Sequence, residues 1–129
     1  MKQCITNPNE VDWVNFWAER LENKIDKNWD EAASGFYKRT RKEDYQTALF
    51  DKLILDENDV VLDVGCGEGS ITIPIAKQVK KVIGVDSSPK MLEYLEKRAK
   101  DNDVDNIETI LKPIEDITYD EIGDVDVVV

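Results

Sequence analysis

The residues best suited to chemistry form one run, Asp63-Val64-Gly65-Cys66-Gly67-Glu68-Gly69-Ser70, directly after an apolar stretch. Glycines allow a tight turn and let a ligand approach the backbone. The free N–H groups at the start of a following helix favour negative charge. The spacing here is G-x-G-x-G, whereas nicotinamide and flavin sites use G-x-G-x-x-G to seat a pyrophosphate. The run therefore predicts a ligand-binding turn that differs from those sites.

A second acidic residue, Asp86, follows the next apolar stretch, about 20 residues after the first glycine of the run. A carboxylate at this place can accept hydrogen bonds from both hydroxyls of a ribose, each contributing roughly 1.5–3 kcal/mol. The alternative is a turn or helix-capping aspartate. Because Asp86 follows Val-Ile-Gly-Val and precedes Ser-Ser-Pro, the sequence favours the ligand role.

The elements that must position these residues alternate between strand and helix from Val60 onward. Short apolar stretches predict strands at residues 60–64, 81–85, 107–111 and 124–129. Helices are predicted over Ser70–Lys80, with Ser70 as N-cap, and after Ser88-Pro89, a serine cap followed by proline in the first position. A brief helix or turn is predicted over Pro113–Tyr119. This alternation predicts an α/β fold with a parallel sheet and right-handed crossovers.

The first part of the chain, residues 1–55, differs from the rest and contains all three tryptophans. Apolar side chains recur there at helical spacing, namely Val14, Trp17, Leu21 and Ile25. A break is predicted over Asn28–Gly35, and a second helix from about Glu43 to Leu55. The aromatic residues of this part either pack against the core or cover a ligand site.

Composition limits the classes of function. The net charge is -11, and an acidic chain repels phosphate backbones, so nucleic-acid binding by this segment is disfavoured, though a basic surface could lie elsewhere. The sequence has no histidine, and its two cysteines, Cys4 and Cys66, are far apart, so no metal site is expected. No apolar run approaches the ~20 residues that span a bilayer. A cytoplasmic protein without membrane contact is therefore expected.

Two segments, Val60–Gly69 and Gly84–Leu92, resemble in order and spacing the class I S-adenosylmethionine-dependent methyltransferases, whose signature is acidic-x-G-x-G-x-G. Asp124–Val129 is similar to the fourth strand of that family. The resemblance implies a Rossmann-like parallel sheet, ordered 3-2-1-4 within this chain and flanked by helices. It also implies S-adenosylmethionine as cofactor and S-adenosylhomocysteine as product. On this basis residues 1–55 form a helical segment over the cofactor site, and residues 56–129 form the cofactor-binding half-domain.

The resemblance also implies roles for individual residues. The Gly65–Gly69 loop would lie against the methionine moiety, Asp63 near its amino group, Asp86 on the ribose and Ser87 beside the adenine. Cys66, between two glycines, is interpreted as a packing residue and not as a nucleophile. The expected cofactor-binding residues are Asp63, Gly65, Cys66, Gly67, Gly69, Asp86, Ser87, Met91, Ile114, Glu115 and Tyr37.

The adenine end departs from the family's pattern. Pro113 stands where the family usually has an acidic residue that accepts from the adenine amino group. Glu115 or Asp116 could replace that acceptor, or the contact could be limited to the backbone N–H of Ile114.

The predicted function is methyl transfer from S-adenosylmethionine to a small-molecule or protein acceptor. In such a transfer the protein mainly aligns the two reactants. The residues facing the acceptor usually follow the fourth strand, so no catalytic residue is assigned. An alternative is a cofactor-binding module without chemistry that needs a partner, and the apolar edge strand Val125–Val129 favours pairing with a second copy or another chain. A nicotinamide-dependent oxidoreductase is disfavoured by the glycine spacing and by Asp63.

Overall fold

The computed structural model describes residues 29–38 and 43–129. Its elements, in chain order, are helix α1 (Trp29–Lys38), helix α2 (Glu43–Phe50), strand β1 (Val60–Val64), helix α3 (Thr72–Ala76), strand β2 (Lys81–Asp86), helix α4 (Pro89–Asp101), strand β3 (Ile107–Leu111), a 3₁₀ turn (Ile114–Asp116), helix α5 (Tyr119–Ile122) and strand β4 (Val127–Val128). The predicted stripe from Val14 to Ile25 lies outside the described residues. Within the described residues, no helix is both long enough and apolar enough to cross a membrane.

The four strands form one sheet in the order β3-β2-β1-β4, and every neighbouring pair is parallel. Val64 is paired with Val85 and Asp86 with Leu111, so β1, β2 and β3 end at the same edge. This confirms the predicted Rossmann-like α/β fold and strand order. Ligands of open α/β sheets bind at the carboxyl ends of the strands, near the point where the strand order reverses.

The core lies on both faces of the sheet because successive strand residues point to opposite sides. On one face, Val61 and Val82 pack against Ile75 and Val79, in and just after α3, and this face also carries α4. On the other face, Leu62, Ile83 and Val85 pack against apolar residues of the segment from the 3₁₀ turn to β4. The central strands β1 and β2 are thus largely buried on both sides, as their continuous apolar runs predicted.

Helix α3 is shorter than predicted, and Ser70 is not its N-cap. The residue at the cap position is Ile71, which makes no capping bond through its side chain. Helical bonding begins at the turn, where the Ile73 N–H donates to the Gly69 carbonyl at 3.0 Å. Pro74 has no N–H to offer Ser70, and the side-chain amide of Gln46 donates to the Ser70 carbonyl instead, at 3.1 Å. A long-range contact thus replaces the bond that proline removes.

Helix α4 begins as predicted. Ser88 is its N-cap, its hydroxyl accepts from the Met91 N–H at 3.1 Å, and Pro89 occupies the first turn. The buried face consists of the predicted residues Met91, Leu92, Leu95 and Ala99.

Three other boundaries differ from the sequence prediction. The break expected over Asn28–Gly35 is wrong from Trp29 onward, because α1 runs through it with acidic residues in its first turn and packs against α4. Helix α2 ends at Phe50, and Leu53 and Leu55 pack against the core from non-helical chain. Strand β4 covers only Val127–Val128.

Candidate functional site

A cleft of about 660 Å³ opens at the carboxyl ends of β1 and β2. Most of the residues that line this cleft were predicted from the sequence as cofactor-binding residues. The predicted residues that line the cleft are Asp63, Gly65, Cys66, Gly67, Asp86, Ser87, Met91, Ile114 and Glu115. The tertiary structure therefore brings the glycine run, the tip of β2 and the segment after β3 together around one space.

The glycine run leaves β1 and is tied to β2 by its backbone. The N–H groups of Gly65 and Cys66 both donate to the Val85 carbonyl, at 2.8 and 3.0 Å. Gly67 has a φ of +55°, in the left-handed region that side chains rarely adopt. In this conformation its N–H donates to Asp86 Oδ2 at 2.9 Å. The run is therefore a rigid turn with a fixed position relative to the tip of β2.

Asp86 is half-buried, and both oxygens of its carboxylate accept backbone hydrogen bonds. Oδ2 accepts from Gly67 N and Oδ1 accepts from Ser88 N, both at 2.9 Å. A carboxylate has about four lone-pair sites, so these two bonds leave two for a ligand. The two roles that the sequence left open, turn-forming aspartate and ligand-binding aspartate, are compatible in this geometry.

Asp63 lies beneath the glycine run and is 6% exposed. Its Oδ2 accepts a hydrogen bond from the hydroxyl of Thr72, the first residue of α3, at 2.6 Å. Burial raises the pKa of Asp63, the Thr72 hydrogen bond opposes that rise, and the charges of Asp86 and Glu68 add to it. This carboxyl group thus connects the end of β1 to α3 and is also the most buried acidic group predicted for the site.

Cys66 is buried among Leu92 and Leu95 and forms no disulfide with another described residue. A Cβ atom placed on Gly84 of β2 would come within 3.0 Å of the Cys66 sulfur, so the pair is closely packed. Burial, aided by the charges of Asp63 and Asp86, raises the pKa of the thiol, which therefore stays neutral. These observations support a packing role and not a nucleophilic one.

One predicted site residue, Gly69, is not part of the cleft wall. Gly69 has a φ of +87°, and a Cβ atom there would come within 3.1 Å of Leu95 Cγ, so its lack of a side chain lets α4 pack closely. Tyr37 lies in helix α1. Its role at the cofactor site stays a prediction.

The end of the cleft after β3 is the more open one. Ile114 is 51% exposed, and Pro113 and Glu115 beside it are also exposed. Lys112 lines the same end and forms an ion pair with Glu121 of α5. Glu115 and Asp116, the two candidate acidic replacements, are both exposed, and the choice between them and the Ile114 N–H as the adenine contact stays a prediction.

Several lining residues were not predicted from the sequence. The most informative is Glu68, which is 3% exposed although it belongs to the glycine run. Its position within the signature was the available signal, but its burial depends on how the run folds back over α3. The others are Val64, Ser70, Ile71, Val85, Lys112 and Pro113.

Comparison with known proteins agrees with this geometry. A family model described as a methyltransferase domain matches residues 55–129. The human tRNA (uracil-5-)-methyltransferase homolog A is 42% identical over 62 residues, which are 48% of this chain and 10% of that protein. The 23S rRNA (uracil(1939)-C(5))-methyltransferase RlmD of Pasteurella multocida is also 42% identical over 62 residues, or 48% of this chain and 14% of that protein.

Solved structures show the same fold. A dimethyladenosine transferase from Plasmodium falciparum superposes with a TM-score of 0.62 at 23% identity. The superposition covers 67% of this chain and 30% of that one. At this identity the superposition shows a shared fold.

These relatives correct one expectation. An acidic composition was taken to disfavour nucleic acid, yet both curated relatives named above are RNA methyltransferases. The charge argument is wrong because the matched stretch is only 10% and 14% of their length. The chain belongs to the methyltransferase domain family, and its fold and its cofactor, S-adenosylmethionine, are those of the class I enzymes.

Proposed function

We propose that this chain is the S-adenosylmethionine-binding part of an enzyme that methylates RNA. The observation that carries the proposal is the bonding of Asp86, whose carboxylate fixes the glycine run through Gly67 and retains two acceptor sites at the cleft. The 129 residues match a small fraction of the length of their curated relatives. The activity of the whole protein, its acceptor and its partners are therefore part of the proposal.

The cleft fits the cofactor in size and chemistry. Its volume of about 660 Å³ lies within the range of about 300–1,000 Å³ that small-molecule sites occupy. A Cβ atom on Gly65 would meet no atom within 4 Å, so the backbone of the run borders open space. The cofactor has a ribose with two hydroxyls and a methionine arm with an amino group. These groups can donate hydrogen bonds to the acidic residues around this space.

Each part of the cofactor is assigned to residues of this chain. Asp86 would accept from the ribose hydroxyls, and the backbone of the Gly65–Gly67 turn would lie along the methionine moiety. Ser87 and Met91 would border the adenosine, with Ile114 on its other side. When bound, S-adenosylmethionine supplies a methyl group on a positively charged sulfur. The chain's contribution is to hold that group in one orientation and to exclude water from it.

Helix α1 is proposed to close the ribose end of the site. Asp30 Oδ1 accepts hydrogen bonds from the Ser88 hydroxyl at 2.5 Å and from the Lys90 N–H at 3.2 Å. Both donors lie at the start of α4, two to four residues beyond Asp86. The expectation that residues 1–55 cover the cofactor site is kept here as a proposal, and Tyr37 of α1 belongs to it.

The proposal of an RNA acceptor depends on the relatives. The two curated relatives named above are methyltransferases of tRNA and 23S rRNA that act on uracil. We infer an RNA base as the acceptor in this protein as well. Because such RNAs are made and used where ribosomes assemble and work, a cytoplasmic setting is part of the same proposal.

The proposal can be tested with the methyl-labelled cofactor. The full chain is incubated with labelled S-adenosylmethionine and with tRNA or 23S rRNA transcribed in vitro, which carries no modifications. We expect label in the RNA, released as a methylated nucleoside after nuclease digestion. The matched control is Asp86→Ala, which should lose both cofactor affinity and label transfer. Label in protein or in small molecules alone would refute the RNA acceptor.

A further inference from the structure

One acidic residue of the cleft, Glu68, is almost buried and has no side-chain partner among the described residues. Glu68 is 3% exposed and lines the cleft, yet no described residue donates a hydrogen bond to its carboxylate or forms an ion pair with it. A buried charge is costly unless it is paired and hydrogen-bonded. A carboxylate that is almost buried, lines the cleft and has no partner among the described residues is suited to pair with a cationic ligand.

The neighbouring acidic groups are bonded within the protein, which sets Glu68 apart. Asp63 accepts from the Thr72 hydroxyl, and Asp86 accepts from two backbone N–H groups. The charge of Glu68 is near enough to raise the pKa values of Asp63 and Cys66. Among the described residues no group of three or more acidic, cysteine or histidine side chains is arranged to hold a metal ion. Asp63, Glu68 and Asp86 all line the cleft, so the cleft offers negative potential to a cationic ligand.

We propose that Glu68 binds the α-ammonium group of the cofactor's methionine moiety as its direct counter-ion, an inference that rests on the proposed function. The cofactor has two cationic groups, a sulfonium and an ammonium. The sulfonium has no N–H to donate, whereas an ammonium has three donors and can satisfy a carboxylate that has none. Asp63, already bonded to Thr72, would reinforce this contact from beneath the run.

Two properties follow from this assignment. Ligands with an amino-acid side arm should depend on Glu68, and ligands that end at the thioether should not. In the absence of ligand, the negative charge of Glu68 repels Asp63, so its neutralisation should not destabilise the protein. A purely structural glutamate would show the opposite, because its loss would weaken folding and all ligands alike.

The test uses the full chain and the variant Glu68→Gln, which keeps the size of the side chain and removes its charge. Calorimetry measures Kd for S-adenosylhomocysteine and for 5′-methylthioadenosine, which shares the adenosyl thioether but has no amino-acid arm. We expect Glu68→Gln to weaken S-adenosylhomocysteine by about tenfold or more and to change 5′-methylthioadenosine by less than about twofold. Its Tm without ligand should equal or exceed that of the wild type.

Glu96→Gln is the matched control, because Glu96 is exposed on α4 and outside the cleft. It should leave both Kd values unchanged. The inference is overturned if Glu68→Gln weakens the two ligands equally, leaves both unchanged, or lowers Tm without ligand. Wild-type protein that binds neither ligand would instead refute the proposed function, so the two failures are distinguishable.

Discussion

At the amino ends of the strands, polar side chains bond to the backbone of neighbouring segments, whereas at the carboxyl ends Asp86 and Glu68 line the cleft with unused acceptor sites. Asn106, just before β3, donates through its side-chain amide to the carbonyls of Ala76 and Val79 at 2.8 and 3.0 Å. Asp126 accepts from the Val60 N–H at 2.8 Å. At the other end, Asp86 has two lone-pair sites left, and Glu68 has no hydrogen bond from any described residue.

This difference separates polar groups that hold the fold from polar groups that hold a ligand. A saturated group such as Asn106 stabilises the folded state, and a ligand would have to break its bonds to use it. Glu68, in the assignment proposed above, gains its partner only when a ligand binds. Substitutions at the two ends of the sheet should accordingly separate effects on folding from effects on affinity.

The largest effect on affinity is expected from Gly67→Val. The residue has a φ of +55° and lines the cleft. A branched side chain would strain the turn by about 1–2 kcal/mol and project next to the ligand's space. We expect S-adenosylhomocysteine to bind more than about 100-fold more weakly, a loss of about 2.7 kcal/mol, as measured by calorimetry. An affinity close to wild type would show that the ligand does not approach this turn.

Asn106→Ala tests the opposite end of the sheet. The substitution leaves the carbonyls of Ala76 and Val79 without this donor, which should lower the free energy of unfolding by about 2 kcal/mol. Urea unfolding measures the loss, and calorimetry at a temperature where the variant is folded should give an unchanged Kd. A large loss of affinity in the folded variant would contradict the separation between the two ends.

Asp86→Ala should show the reverse pattern. Loss of the proposed ribose contacts should weaken the binding of S-adenosylhomocysteine at least tenfold, or about 1.4 kcal/mol. The variant also loses the bonds to Gly67 and Ser88, so part of the effect comes from a looser turn. An analogue of the ligand with 2′-deoxyribose in place of ribose distinguishes the two causes. The ratio of the Kd of the variant to that of the wild type should be smaller for the deoxy analogue than for S-adenosylhomocysteine. If this ratio of Kd values is the same for both ligands, the role of Asp86 is purely structural.

The smallest effect concerns pH. Burial raises the pKa of Asp63 above its ordinary 3.8, so in that pH range the folded state binds more protons than the unfolded state. The free energy of unfolding therefore falls as pH rises from 3.8 through the raised pKa. Asp63→Asn removes this contribution, so the variant should gain stability relative to wild type as pH rises through that window. Parallel urea midpoints for the two proteins across the window would contradict it.

The helix caps show how far local sequence can be used. Ser88-Pro89 predicted the start of α4 correctly, because a serine cap and a proline in the first turn act within a few residues of each other. Ser70 is also a serine directly before a predicted helix, yet it is not an N-cap. The start of α3 is set instead by the Gly69 turn, by Thr72 bonded to Asp63 and by Gln46 bonded to the Ser70 carbonyl. The last contact joins residues 24 positions apart, which no local pattern can reveal.

For the site as well, the sequence predicted the features that depend on local structure and missed those that depend on long-range packing. Asp63, the glycine run and Asp86 stand out in the sequence because turn conformation and strand ends are local properties. Glu68 lies inside the same run and was not singled out, since its burial depends on the packing of the run over α3 and β2. Lys112 and Pro113 join the cleft only because β3 pairs beside β2.

By itself, the sequence determined the alternation of strand and helix, the position of the glycine turn and the acidic residue at the tip of β2. These features depend on side-chain period, backbone freedom and capping, which act over a few residues. Only the tertiary structure decided which polar groups are saturated and which stay free, because hydrogen-bond partners such as those of Asp86 and Asn106 come from distant parts of the chain. That distribution, and not the motif alone, distinguishes the ligand-binding end of the sheet from the end that holds it together.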